Sequence, residues 1–62
     1  MKHQIIVNNY ILGSIVPKTP TDKIIKKVRL DYNHTLIIYE GLTLSELGWV
    51  QKYYNNRLKE VI

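Results

Sequence analysis

The pattern of hydrophobic and polar residues predicts a β-hairpin in the middle of this chain. Residues 23–31 alternate between apolar and basic side chains, which is typical of a strand with one mostly wet face. Strict alternation gives two faces: Ile24, Lys26, Val28, Leu30 and Lys23, Ile25, Lys27, Arg29. Residues 31–34 are a polar turn, and residues 35–40 form the return strand. The return strand is apolar on both faces: Leu36 and Ile38 on one, Ile37 and Tyr39 on the other.

A cluster of helix-start signals follows the hairpin directly. Thr43 is a favourable N-cap, and Glu46, three residues later, can complete a capping box. Leu42 and Leu47 occupy the two positions of a hydrophobic staple, and Gly41 lets the chain leave the strand at a sharp angle. We therefore predict a helix that begins within two residues of Thr43.

The first part of the chain allows two interpretations. Residues 3–7 and 10–16 are either two short strands around a turn or one strand interrupted by a bulge. Gly13 favours a bulge or a bend. Residues 17–22 contain two prolines and are predicted to form a loop.

The far end of the helix also has two possible continuations. Asn55 and Asn56 are a plausible stop, so residues 57–62 are either more helix or a short last strand. Apolar side chains at spacings of three and four slightly favour the helix: Leu47, Val50, Tyr54, Leu58 and Val61.

These elements predict one α+β domain, residues 1–62, with a small antiparallel sheet and one helix packed on it. One short helix covers only one face of a sheet, so we expect a second copy of the chain to cover the other, as a homodimer. The sequence has no cysteine, no apolar run near the ~20 residues of a membrane span and too short an apolar N-terminus for a signal peptide. We therefore expect a cytoplasmic protein.

Residues that carry catalytic chemistry are scattered. His3 and His34 lie far apart without an acidic cluster nearby, and no local signature of a nucleophile is present. We expect no catalysis, no bound metal and no cofactor.

Two features indicate binding. The net charge is +4, and one strand is basic through Lys23, Lys26, Lys27 and Arg29. This strand could follow a phosphate backbone. It could also be a solvated strand that its lysines protect from edge pairing. Trp49, Tyr53 and Tyr54 form an aromatic group on the helix. Because they cannot all reach one core, at least one should contact another chain.

Residues 41–47, Gly-Leu-Thr-Leu-Ser-Glu-Leu, resemble the Gly-Leu-Ser-Leu-Ser-Asp-Phe stretch of the small uracil-DNA glycosylase inhibitors of Bacillus podophages. In those proteins a tyrosine-rich strand ends at the same glycine, which is similar to residues 36–40 here. Their chains end in Arg-Leu, two residues and Val-Leu, and this one ends Arg-Leu-Lys-Glu-Val-Ile. The resemblance covers roughly residues 26–62.

The resemblance implies a bacteriophage protein that acts in the host-cell cytoplasm as a dimeric DNA mimic. Such dimers occupy the DNA-binding face of bacterial uracil-DNA glycosylase, block base excision and offer an apolar pocket to the enzyme's finger residue. Leu47 stands where the family has an aromatic, and Trp49 would supply the ring. Gly48 and Ile37 stand where the family has acidic residues. The implied partner-binding residues are Leu44, Leu47, Gly48, Trp49, Glu46 and Glu40.

In this interpretation Glu46 and Glu40 stand in for phosphates, although the net charge of +4 is unlike that of a DNA mimic. Two alternatives remain beside the inhibitor. One is a small basic nucleic-acid-binding phage protein that uses the strand at residues 23–29. The other is a structural dimerisation module without an enzyme target.

Overall fold

The computed structural model describes residues 1–12 and 20–61. Its strands are β1 (Lys2–Asn8), β2 (Ile24–Arg29), β3 (His34–Glu40) and β4 (Lys59–Val61). Its helices are α1 (Asn9–Leu12) and α2 (Leu44–Tyr54), and a 3-10 turn spans Thr21–Lys23. Within the described residues, these four strands form one antiparallel sheet in the order β2-β3-β1-β4. The α+β class predicted from the sequence is confirmed.

The core lies between one face of the sheet and α2. Alternate residues of β3 are buried, as the period of two predicts, and Ile37 and Tyr39 are completely inaccessible. The buried hydrophobic side chains come from three elements: Ile5 and Val7 of β1, Ile37 and Tyr39 of β3, Val50 and Tyr54 of α2. This arrangement leaves the helix with one face in the core and one in solvent.

The opposite face of the sheet, which we call the open sheet face, is also partly apolar. Its central side chains are Gln4 and Ile6 of β1, Leu36 and Ile38 of β3, and Val28 of β2. Leu36, Ile38 and Val28 are half-buried, and Ile6 is 43% exposed. The prediction that β3 has two apolar faces is therefore confirmed.

Because of a β-bulge, the two faces of β2 differ from those predicted. The register of β2 against β3 shifts between Ile24 and Lys26. Ile24 consequently lies opposite Tyr39 and packs against the core, while Lys26 and Val28 remain on the open sheet face. Strict alternation had placed all three on one face, but an extra residue in one strand reverses the side on which its neighbours lie.

The N-terminal prediction is partly corrected. Residues 3–7 lie within strand β1, as expected, but the next residues turn into the short helix α1 rather than into a second strand. The Asn9 amide donates to the Asn33 carbonyl at 2.8 Å, and Thr35 donates to the Asn9 side chain at 2.5 Å. Residues 13–16 of the predicted second run, with the bend at Gly13, and the part of the proline loop up to residue 19 lie outside the described residues.

Of the two continuations left open after the helix, the structure has the short last strand, although helical spacing slightly favoured the helix. Helix α2 ends at Tyr54, and Asn55 adopts the left-handed conformation with φ 53°. Its amide donates to the Gln51 carbonyl, which closes the helix, and asparagine tolerates this conformation better than most residues. The chain then returns as β4 beside β1, with Val61 opposite Lys2.

Candidate protein-binding surface

The start of α2 is built by the predicted capping box. The Glu46 amide donates to Thr43 Oγ1 at 3.2 Å, and the Thr43 amide donates to Glu46 Oε1 at 2.9 Å. Gly41, with φ 81°, turns the chain from β3 into the helix. Leu42 packs against the core and Leu47 is half-buried, consistent with the predicted staple. The residue at which α2 begins is therefore set mainly by local sequence.

A long-range ion pair adds to this local cap. Lys23 Nζ donates to Glu46 Oε1 at 2.6 Å and to the Gly41 carbonyl at 3.1 Å. The Lys23 ammonium, followed by the Thr43 amide, lowers the pKa of Glu46 below its ordinary value. Glu46 therefore holds the turn between sheet and helix together, and its charge is already balanced within the protein.

The solvent side of α2 forms what we call the outer helix face, composed of Leu44, Ser45, Gly48, Trp49 and Lys52. All five residues are exposed, and helical spacing places Gly48 near the middle of the group. Leu44 is 88% exposed and Trp49 is 47% exposed. Two large apolar side chains therefore flank a residue without a side chain.

Gly48 has open space above it in the described part of the protomer. A Cβ built on Gly48 meets no atom of residues 1–12 or 20–61 within 4 Å. A glycine in the interior of a helix destabilises it by roughly 0.5–1 kcal/mol relative to alanine. The space above Gly48 would let another backbone approach α2 closely.

The aromatic group on α2 divides as expected. Tyr54 is buried, and Tyr53 is half-buried with its ring centroid 5.0 Å from that of Tyr54 in an edge-to-face arrangement. Both belong to the core or pack against it, whereas Trp49 is 47% exposed. Trp49 is therefore the aromatic of the three that is available to another chain.

The structure brings together only part of the partner-binding set. Leu44, Gly48 and Trp49 share the outer helix face. Leu47 and Glu46 are half-buried on the side of α2 nearer the sheet. Glu40 is exposed at the end of β3, opposite Lys2 of β1.

The basic residues of the nucleic-acid alternative are not brought into one patch. Lys23 is paired with Glu46, and Lys26 lies on the open sheet face opposite Ile38. Lys27 and Arg29 lie on the other face, opposite Ile37 and Thr35. The Arg29 guanidinium also lies 5.9 Å from the centre of the Tyr32 ring.

The two histidines lie in unrelated surroundings. Among the described residues, His3 Nδ1 is buried without a hydrogen-bond partner, whereas His34 Nδ1 lies 3.0 Å from Asp31 Oδ1 in the hairpin turn. Across residues 1–12 and 20–61, no three His, Cys, Asp or Glu side chains gather closely enough to hold a metal ion. In the same residues, no helix is both long and apolar enough to span a bilayer.

Sequence reasoning missed Ser45 and Lys52 as members of the outer helix face and missed the pairing of Lys23. Helical spacing from Gly48 could have identified the first two, since residues three and four apart are neighbours on a helix. The Lys23 contact depends on how the sheet packs against α2, so no local pattern indicates it.

Comparison of the chain with protein-family models, with curated proteins and with solved structures finds no match.

Proposed function

We propose that this protein acts by binding another protein through its outer helix face, and that its target is a bacterial uracil-DNA glycosylase. The observation that carries the proposal is the exposure of Leu44 and Trp49 around Gly48. This surface lies on the helix whose first turn resembles the glycosylase inhibitors. The protein would inhibit by occupying the enzyme's DNA-binding face.

A homodimer is part of the proposal, with its contact at the outer helix face rather than at the second face of the sheet, where the sequence placed it. Two copies of α2 pack across Gly48, where the missing side chain permits close approach of their backbones. The two Trp49 rings then lie beside the helix pair and, with the two Leu44 side chains, form the walls of an apolar pocket. Leu47 is half-buried within its own protomer, so its contribution to the pocket is limited to one edge.

The acidic part of DNA mimicry falls mainly to Glu40. Glu46 is occupied by Lys23 and by the Thr43 amide, so a target would have to compete for its oxygens. Glu40 is exposed and free to accept hydrogen bonds from the enzyme. With few acidic groups, binding depends on apolar fit more than on charge, because net charge chiefly affects the rate of encounter.

The test is a uracil-excision assay with the glycosylase of a Bacillus host, a uracil-containing strand and the purified protein in excess. We expect stoichiometric inhibition, and uracil-free DNA should relieve it by competing for the same face. Complete excision at both low and moderate salt would reject the proposal. A gel shift of DNA by the protein alone would favour the nucleic-acid alternative instead.

Two variants sharpen this assay. Trp49→Ala should weaken binding by about 2 kcal/mol or more, as truncation of an aromatic anchor does. Tyr10→Ala is the matched control, because Tyr10 is also highly exposed but lies on α1. Equal losses in both variants would contradict the assignment of the outer helix face.

Lys27→Glu separates the inhibitor from the nucleic-acid alternative. A glycosylase face that binds phosphates is positive, so the reversed charge should leave inhibition unchanged or improve it. Loss of a phosphate contact would instead weaken DNA binding and reduce its dependence on salt.

A further inference from the structure

A small cavity lies between β1 and β4, away from the outer helix face. Its volume is about 100 Å³, and it is lined by Gln4, Ile5, Ile6, Asn56, Arg57 and Lys59. The cavity exists because β4 pairs only with the first part of β1, residues 2–4, so the chain reaches β4 across an uncovered strand edge. It therefore combines an apolar floor with a polar rim.

The two charged residues of the lining are both cations. In the described part of the chain, neither Arg57 nor Lys59 has a salt bridge or a side-chain hydrogen bond. Lys59 lies opposite Gln4, whereas its neighbour Glu60 lies opposite His3 and so points to the other face of the sheet. The adjacent carboxylate therefore does not lie beside the two cations on the cavity side of the sheet.

The polar wall is held in place before any ligand arrives. Asn56 Nδ2 donates to the Ile6 carbonyl at 2.7 Å, and Asn56 Oδ1 accepts from the Arg57 amide at 2.9 Å. The Leu58 amide donates to Gln51 Oε1 at 3.2 Å, which ties the same segment to α2. The backbone that carries Arg57 is therefore fixed at the cavity mouth.

A second cavity, a depression of about 260 Å³ that is largely open to solvent, adjoins the first and shares Ile6 and Asn56 with it. Its remaining lining is mostly polar: Asn8, His34, Tyr54 and Asn55. A ligand with its anionic end beside Arg57 and Lys59 would have room for an uncharged polar body here.

We propose that these adjoining cavities bind a phosphate monoester, with its dianionic phosphate between Arg57 and Lys59. A phosphate monoester carries a charge of about −1.5 to −2 near neutral pH, which two unpaired cations can balance. Guanidinium offers two parallel donors to phosphate oxygens, and the ammonium adds a third donor. This site is independent of the proposed glycosylase inhibition, because it shares no residue with the outer helix face.

The test is to titrate four probes into the full chain and to monitor the backbone amides by ¹H–¹⁵N NMR. The probes are methyl phosphate, acetate, thymidine 5′-monophosphate and O-phosphoserine. Methyl phosphate should shift the amides around residues 56–59 saturably, and acetate, a monoanion, should bind about tenfold or more weakly. Absence of saturable shifts with all phosphates, or equal binding of acetate, would overturn the proposal.

The remaining probes distinguish the two sources of the ester. Tighter binding of thymidine 5′-monophosphate than of methyl phosphate would identify a nucleotide, whose body occupies the second cavity. Tighter binding of O-phosphoserine would identify a phosphorylated side chain. Each result supports the phosphate site.

Variants assign the site to its two cations. Arg57→Gln and Lys59→Gln should each weaken methyl phosphate binding about tenfold, the typical loss for one charge-assisted contact. Lys26→Gln removes an exposed lysine of β2, at the edge of the sheet opposite β4, and should leave phosphate binding unchanged. Retained spectral dispersion shows that each variant is folded. Unchanged affinity in both Arg57→Gln and Lys59→Gln would overturn the proposal even if phosphate binds elsewhere.

Discussion

The Lys23 ammonium lies 2.6 Å from Glu46 Oε1, and this contact joins the residue preceding β2 to the first turn of α2. The same carboxylate oxygen accepts a hydrogen bond from the Thr43 amide in the capping box. One oxygen atom therefore connects helix initiation with the packing of the helix beside the sheet. Loss of the hydrogen bond from Lys23 should therefore alter the hydrogen bond from the Thr43 amide, and the reverse.

This coupling gives a prediction for pH. The pKa of Glu46 is lowered, so its contribution to stability is present above its ordinary value of 4.5 and is lost as the pH falls through the lowered folded value. In Lys23→Met the pKa of Glu46 should rise back toward 4.5. Carboxyl ¹³C titration by NMR measures this directly.

Asp31 provides the control within the same titration. Its pKa is lowered by the Asn33 amide and by His34, both in the hairpin turn. Lys23→Met should therefore leave the Asp31 titration unchanged. A Glu46 titration that does not move would show that the ion pair does not persist in solution.

Removal of the helix cap should destabilise the fold. Thr43→Ala should lower the free energy of unfolding by about 1 kcal/mol, because an amide of the first turn loses its acceptor. In a domain of this size that loss corresponds to a decrease in Tm of roughly 4–8 °C. Thermal denaturation at fixed protein concentration measures it.

Thr43→Ser is the matched variant, since it keeps the hydroxyl that accepts from Glu46. It should retain most of the stability. If Thr43→Ser and Thr43→Ala are equally destabilised, the loss does not come from the cap.

Substitution of Gly48 should affect folding and binding in opposite directions. Gly48→Ala should stabilise the folded protomer by about 0.5–1 kcal/mol, because the new Cβ meets open space and the helix gains propensity. It should also weaken self-association and glycosylase inhibition by preventing close approach of a second backbone. Chemical denaturation and sedimentation equilibrium, both at several protein concentrations, separate the two effects.

Ser45→Ala is the control for this experiment, since Ser45 lies on the same face and already has a Cβ. It should leave association unchanged. A Gly48→Ala protein that associates and inhibits like the parent would remove Gly48 from the interface.

Removal of a single methyl group can test which residues belong to the core. Ile37 is completely buried, so Ile37→Val should cost about 0.5–1.5 kcal/mol of stability. Ile25 is 51% exposed at the bulge of β2, so Ile25→Val should change stability by less than about 0.5 kcal/mol. Equal effects in denaturant unfolding would mean that the face assignment of one strand is incorrect.

Local chemistry made much of this fold predictable. The hairpin and the start of α2 depend on alternation and on capping, and both signals lie within a few residues of the structure they specify. The bulge at Ile25 was not predictable, because alternation of side chains alone does not show an extra residue in a ladder. Leu58 and Val61 continue the helical spacing, yet Asn55 ends the helix and Val61 pairs with β1 as part of β4.

The candidate surface was predictable to a smaller extent. At least one of the three aromatics on α2 was expected to contact another chain because they cannot all reach one core, and Trp49 is the one that is 47% exposed. The engagement of Glu46 by Lys23 and the cavity beside Arg57 both depend on contacts between distant parts of the chain. Such contacts follow from the packing of elements rather than from any local pattern.

The pairing of β1 with β4 has a mechanical consequence. Lys2 lies opposite Val61, so the outermost residues of the two antiparallel strands meet at the same end of the ladder. A force that pulls these two residues apart acts across the hydrogen bonds and loads them one pair at a time. The hydrogen bonds between β1 and β4 should therefore break one after another from that end, at low force. Strand β4 should detach while the hairpin of β2 and β3 is still intact.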